Sequence, residues 1–399
     1  MTGARPPASP PRFHSLDALR AVLMMLGVVR HAAMSYVPTV YEGWPYRDAQ
    51  PDLLARWVIV FIRAFQVPVF FAIAGFFAAY LVEARGVRAF LQHRWSRIGV
   101  PLVVAWPVIA VTIFFVARFV SPFSAVPSTI SYGLAAENMP LAIDFLFVHL
   151  WFLYDLMILS VVASVLRMLA VRIPEGVRAR ALDLFTRLAH RGGVLVLALA
   201  AGLPLYRMQS WDIDYYGGPF PAPRLVALYG LFFAFGWMLF RRRETLEGFK
   251  RPAWLHLAAG VACFLVHRYF VDSGCQPRPD RICTGTAEGH HLGAIVFLAL
   301  AMSFLAYSLF GLFLRYADNP SPRWRYMADA SFWMYLVHMP VVMLLPVLLA
   351  DVQLPGIVKL AMVVVASVGL MLLSYRYFVR STAIGMQLNG RRYPRGATW

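Results

Sequence analysis

Apolar stretches of about 20 residues recur along the whole of this 399-residue chain, and they restrict it to a narrow class of folds. Each is long enough to cross a bilayer core of about 30 Å as a helix. No water reaches a backbone amide inside that core, so a continuous apolar run must close its own hydrogen bonds, as a helix does. We place ten spans, at about 16–37, 54–83, 98–120, 142–170, 192–207, 223–240, 254–272, 291–315, 329–350 and 356–379. The fifth is the shortest and opens on Gly192-Gly193. The expected fold is all-α: a polytopic ten-helix membrane domain over 16–380. A disordered Pro-rich leader at 1–15 and a basic tail at 381–399 flank it. The first span lacks an A-x-A-like cleavage site and carries charges within its apolar stretch, so it reads as a retained helix. With 60% hydrophobic and 14% charged residues, the chain has no room for a sizeable soluble domain.

The net charge of +17 invites a nucleic-acid reading, but the positions of the cations argue against it. Arginines gather in alternate loops: Arg85, Arg88, Arg94 and Arg97, then Arg172 to Arg191, then Arg241 to Arg243, Arg315 to Arg325, and the tail. This alternation is the positive-inside rule. It predicts that both termini and all basic loops are cytosolic, in a multi-pass protein of the bacterial inner membrane, with the lipid bilayer as the partner of the charge. The same orientation puts Cys275 and Cys283 in an exported loop. There they either form a disulfide or remain two reduced thiols of no consequence. No zinc-ligand spacing is present.

The first span, FHSLDALRAVLMMLGVVRHAAMSY, carries Asp17, Arg20, Arg30 and His31. Asp or Arg at the centre of a span costs roughly 2.5 to 3.5 kcal/mol on insertion scales, which an anchor would avoid. Arg20 and His31 are eleven residues apart, so they return to within about 20° of one face, about 16 Å along the axis. Asp17 lies one turn before Arg20. These two either pair with each other at the cytosolic interface or support a buried imidazole. Ser35, one turn beyond His31, would permit an acyl-serine variant.

Further constellations follow. RWSRIGVP sets Arg94 and Arg97 one turn apart where the chain re-enters the membrane, as phosphate ligands or as ordinary positive-inside residues. HLWFLYDL brings His149 and Trp151 to the start of span four and Asp155 deeper into it. His149 is expected on the outer side, touching substrate or solvent. Asp155 needs a partner. In SFWMYLVHMP, Tyr335 and His338 share a face near mid-span, and Pro340 would open the helix locally. Lys359, near the outer end of span ten, is expected to snorkel.

These segments, together with VPVFFAIAGFF, occur in the order found in the membrane acyltransferase-3 family, which the chain resembles over nearly its whole length. The resemblance implies transfer of an acyl group from cytosolic acyl-CoA to a hydroxyl of an extracytoplasmic carbohydrate, such as a periplasmic glucan. It implies no resident cofactor. The catalytic histidine matches His31, with Arg20 as its support and Asp17 or Asp155 as the acid that orients it. Arg94 and Arg97 match arginines that meet the CoA phosphates. Arg30 would hold the donor or an oxyanion, while His149, Trp151, Asp155, Tyr335 and His338 would line the acceptor side. The family often has Ser where this chain has Ala74. Succinyl-CoA is the expected donor, with an acetyl group open, and a homodimer is left open. The rival class is a proton-coupled secondary transporter using the same buried polar residues as a relay.

Overall fold

The computed structural model describes residues 13–38, 44–125, 147–216, 218–274 and 288–394. Cys275 and Cys283 lie outside these residues, as do residues 1–12 of the expected leader. Twelve helices carry the architecture: α1 (His14–Ala33), α2 (Leu53–Arg94), α3 (Val100–Val120), α4 (Trp151–Ala170), α5 (Glu175–Arg191), α6 (Gly193–Tyr206), α7 (Pro223–Arg241), α8 (Ala253–Gly274), α9 (Glu288–Tyr316), α10 (Pro322–Leu344), α11 (Gly356–Ser374) and α12 (Ala383–Asn389). No strand occurs among the described residues.

Eight helical runs among the described residues are long and apolar enough to cross a membrane. Ten spans were expected, and two local features account for the difference. The run Leu53–Phe123 counts once although its 71 residues would extend about 106 Å, far beyond one crossing. It contains the expected second and third spans, divided at Gly86 (φ 78°) and at a π-helical turn, Trp95–Gly99. The expected fifth span is α6, whose 14 residues reach only about 21 Å. A bend of 105° at Gly192 joins it to α5, and the pair counts as a span only together.

Helix α1 is the hub, packing against α2, α9, α10 and α11. A central position explains how its sequence tolerates arginine and histidine, because those side chains face protein rather than lipid. At the periphery, α3 leaves Val103, Val104, Val108, Phe115 and Phe119 exposed, the apolar surface a lipid-facing helix requires. Helices α2 and α7 cross with almost no side-chain spacing. A Cβ on Gly75 would stand 1.9 Å from the Phe233 carbonyl oxygen, and one on Gly236 would stand 1.7 Å from that of Ala72. Gly75 is therefore a packing residue, which fixes the wall that α2 presents to the interior.

One expectation at a helix end changes. Lys359 does not snorkel: it is fully buried, and its Nζ donates to both oxygens of the equally buried Asp48 carboxylate at 2.9 and 3.0 Å. Its site in the first turn of α11 is closed over by the loop that carries Asp48, so the stem cannot reach water. The described residues of the basic tail are docked on α10. Arg391 forks onto Asp329 at 2.9 and 2.7 Å, and Tyr393 donates to the same carboxylate at 2.6 Å.

Candidate functional site

Four helices (α1, α2, α4 and α10) enclose two adjoining cavities. The smaller, of about 50 Å³, is lined by Arg30, His31, Gln66, His149, Trp151 and His338 with apolar neighbours. The larger, of about 380 Å³, is lined by Arg20, Tyr80, His93, Arg94, Arg97, Asp329 and Asn389 among others. Met24, Phe70, Phe152 and Tyr335 line both and form the wall between them. On α1 the residues Arg20, Met24, Gly27 and His31 follow one another at helical spacing and run from the larger cavity into the smaller.

In the small chamber the hydrogen bonds assign every imidazole tautomer. The guanidinium of Arg30 can only donate, and it lies 3.1 Å from His31 Nε2. That nitrogen therefore accepts, and the proton of His31 sits on Nδ1. From there it is donated to His338 Nε2 at 3.0 Å. His338 in turn donates from Nδ1 to the Tyr335 carbonyl at 2.7 Å. A carbonyl can only accept, so the chain Arg30–His31–His338–Tyr335 is fixed at both ends in one sense. His149 donates from Nε2 to the same Tyr335 carbonyl at 3.1 Å, and the Tyr335 hydroxyl donates back to the His149 carbonyl at 2.6 Å. The His149 ring also meets the carbonyl of Leu336, the one four residues before Pro340. Proline has no N–H to offer that carbonyl, so Pro340 frees an acceptor for the imidazole while α10 continues unbroken to Leu344.

His149 is only 4% exposed and stands at the centre of the chamber, not on the outer side where the sequence suggested. The residue before it explains the placement. Val148 has φ 47°, a conformation that β-branched residues rarely adopt, and its carbonyl accepts from the Tyr215 hydroxyl at 2.7 Å. Backbone strain of this kind costs about 1 to 3 kcal/mol and collects where a side chain has to be aimed. Trp151 stacks on Tyr229 with ring centroids 5.7 Å apart and closes one side of the chamber.

Other candidates stand apart from His31. Arg20 pairs with Asp17 at 3.2 Å and lines the larger cavity, one to two spans of side chain away from the imidazole it was expected to support. Eleven residues of helix, about 16 Å, separate Arg20 from His31, and Asp17 is further still. Neither contacts the imidazole: the shared face is real, but it runs through two cavities. Asp155 is 6% exposed yet lines neither cavity, and among the described residues the hydrogen bonds of the His31 ring run to Arg30 and His338 rather than to a carboxylate. Arg30, for which a donor role and an oxyanion role were both open, stands beside His31. Ser35 accepts from the Trp44 indole at 2.9 Å and lines neither cavity.

The larger cavity collects the arginines. Arg94 is half-buried, with its NH2 group 3.4 Å from the Ala74 carbonyl, its Nε without a hydrogen-bond partner, and its guanidinium over the Phe90 ring. The break at Gly86 turns the last residues of α2 inward and brings Arg94 there. Arg97, in the π-helical turn, donates to the Met386 and Gln387 carbonyls of α12 at 2.8 and 2.6 Å. Leu388 and Asn389 of α12 also line this cavity.

Sequence reasoning missed Gln66. It is an amide in the interior of α2, 7% exposed, with Nε2 donating to the Leu23 carbonyl at 2.7 Å. The signal was available, since a polar residue between Phe65 and Val67 in a span is as unusual as the charges of α1.

The apolar helices and the histidine-lined chamber between them define a multi-pass membrane protein built around the His31–His338 pair. The chain belongs to the acyltransferase-3 family: that family's profile, described as an acyltransferase domain, matches residues 13–376. Similar curated proteins include Glucans biosynthesis protein C from Salmonella paratyphi B and from Salmonella heidelberg, each 31% identical over 153 residues. The matched stretch covers 38% of this chain and 38% of each relative. No solved structure matches the chain.

Proposed function

We propose that this protein is a transmembrane O-acyltransferase that moves an acyl group from a cytosolic acyl-CoA to a hydroxyl of a periplasmic glucan. The observation that carries the reading is the His31–His338 hydrogen bond, its tautomers set by Arg30 and by the Tyr335 carbonyl, beside an arginine-lined cavity. Family membership favours transfer over transport as the use of these residues.

On this reading the larger cavity receives the donor. At about 380 Å³ it falls within the usual range for small-molecule sites. Arg94 and Arg97 offer charge-assisted donors to CoA phosphates at the basic end of the bundle, which faces the cytosol. The thioester then reaches the wall formed by Met24, Phe70, Phe152 and Tyr335. The acceptor hydroxyl enters the small chamber from the other side, and its oxygen attacks the thioester carbonyl. The new O–C bond forms as the proton passes to His31 Nε2. The C–S bond then breaks, and the thiolate takes the proton from His31 and leaves as CoA. A histidine acting in this way contributes typically 10²- to 10⁴-fold. His31 Nδ1–H keeps its bond to His338 throughout, as the orienting partner of a catalytic imidazole does.

Arg30 has two uses here. When substrate arrives its guanidinium leaves His31 Nε2 free and turns to the tetrahedral oxyanion, where a preorganised donor is worth most. It also offers a fork to a carboxylate, which favours succinyl over acetyl as the acyl group. The testing experiment is mass analysis of periplasmic glucans from cells lacking the gene and complemented with wild type or His31→Ala. Esterified glucan with wild type and none with a well-expressed His31→Ala is the expected result. Equal esterification by the two would overturn His31 as the base.

A further inference from the structure

The small chamber contains two hydrogen-bond acceptors that the mechanism above leaves idle. Gln66 spends its amide N–H on the Leu23 carbonyl, which fixes the amide orientation and leaves Oε1 without a partner. His149 spends Nε2–H on the Tyr335 carbonyl and leaves Nδ1 without a partner. Both side chains are more than nine-tenths buried, and both line the chamber. A buried acceptor without a donor costs about 1 to 3 kcal/mol, so two in one chamber of about 50 Å³ point to a ligand that brings donors.

The chemistry of that ligand is constrained. A carboxylate or phosphate brings only acceptor oxygens and would face two lone pairs. An amine would bring donors but also a positive charge, next to Arg30. A neutral hydroxyl donates without adding charge, and a polyol supplies more than one. The volume admits one hydroxyl-bearing edge of a sugar, not a whole ring.

We propose that Gln66 Oε1 and His149 Nδ1 form a hydroxyl-recognising pair. It holds a non-reacting hydroxyl of the acceptor while a neighbouring hydroxyl faces His31. The inference rests on the acyl-transfer reading and adds to it a reason for choosing polyhydroxylated acceptors over simple alcohols. Gln66 and His149 are positioning residues in this scheme, and His31 alone takes the proton.

The test uses the purified full chain in nanodiscs, with succinyl-CoA as donor and either methyl β-glucoside or ethanol as acceptor. Gln66→Leu should raise KM for the glucoside about tenfold, the cost of one buried neutral hydrogen bond. It should leave KM for ethanol within about twofold, with hydrolysis of succinyl-CoA still detectable. Gln66→Met, which keeps the length of the side chain and removes the acceptor, should raise the glucoside KM as Gln66→Leu does. Equal changes for glucoside and ethanol would overturn the proposal, because the two acceptors would then serve bound water alone. Loss of donor hydrolysis in both variants would also overturn it, by making Gln66 a structural support of α1. Failure of the wild type to esterify the glucoside with succinyl-CoA or acetyl-CoA would instead overturn the acyl-transfer reading, and this proposal with it.

Discussion

Replacing His338 with alanine tests whether one histidine orients the other. In the structure His338 Nε2 is the acceptor for His31 Nδ1–H at 3.0 Å, and it is held in that tautomer by its own bond to the Tyr335 carbonyl. His338→Ala deletes this acceptor inside the small chamber. The imidazole then keeps an unsatisfied donor, at about 1 to 3 kcal/mol, or escapes the cost by swapping tautomer or flipping its ring. Either escape takes the Nε2 lone pair away from the acceptor hydroxyl. At 1.36 kcal/mol per tenfold in rate, that corresponds to a fall of about 5- to 150-fold in kcat. The fall should be smaller than the 10²- to 10⁴-fold loss typical of removing a general base outright. The donor cavity lies beyond the Tyr335 wall, so KM for acyl-CoA should stay within about twofold. His338→Gln offers an amide oxygen at the same place and should recover part of kcat. Steady-state ester formation by purified protein, with thermal unfolding as a check on folding, measures all of this. A folded His338→Ala protein with kcat within twofold of wild type would show that His31 does not need His338, and the tautomer argument would fall.

Other outcomes follow from the same geometry. Arg94→Ala should raise KM for acyl-CoA by about 10- to 100-fold, since a half-buried guanidinium with an unpartnered Nε has most of its donors to give. Arg97→Ala should raise it less and lower the melting temperature as well, because Arg97 already holds two carbonyls of α12. Lys359→Met strands the buried Asp48 carboxylate at a cost of about 3 to 5 kcal/mol, and Asp48→Leu with Lys359→Met should restore most of the lost melting temperature. Asp212 lies in the loop between α6 and α7: burial pushes its carboxyl up, but Arg63, His267 and Arg268 outweigh that and hold it below the ordinary carboxylate value. A depressed folded-state pKa stabilises fully above about pH 4 and is lost as pH falls through the folded value. Asp212→Asn should therefore flatten the acid side of a plot of melting temperature against pH.

The sequence exposed the helices because each apolar run is long and the cost of breaking backbone hydrogen bonds in lipid admits little else. It also exposed the α1 face that joins Arg20 to His31, since helical spacing is a local property. What it could not expose was which groups meet across helices. His31 and His338 are 307 residues apart in the chain, and only the packing of α1 on α10 brings them to 3.0 Å. A carboxylate orienting the base was the natural expectation, and the structure supplies an imidazole in its place. Lys359 misled for a similar reason. Its position near a span end suggested snorkelling, while its partner Asp48 lies in a loop that sequence reading treats as solvated. The spans are countable from the sequence; the backbone breaks at Gly86 and Gly192, with φ values of 78° and 154°, become visible only in three dimensions.

Two cavities sharing one wall impose an order on the chemistry. Phosphates are strongly hydrated and large, and the arginines that suit them sit in the roomier cavity. A base and an alcohol gain from the opposite environment, a small chamber with fixed dipoles and little space for water. Met24, Phe70, Phe152 and Tyr335 meet both demands at once, because each presents apolar surface to the two sides. A thioester reaching past them would place its carbonyl next to His31 while its phosphates stay among Arg94 and Arg97. That separation, about three turns of α1, is why Arg20 belongs with the arginines and not with the imidazole whose face it shares. On the acyl-transfer reading, the long reach between the two ends of the α1 stripe is a spacing between donor anchor and base, rather than a contact that failed to form.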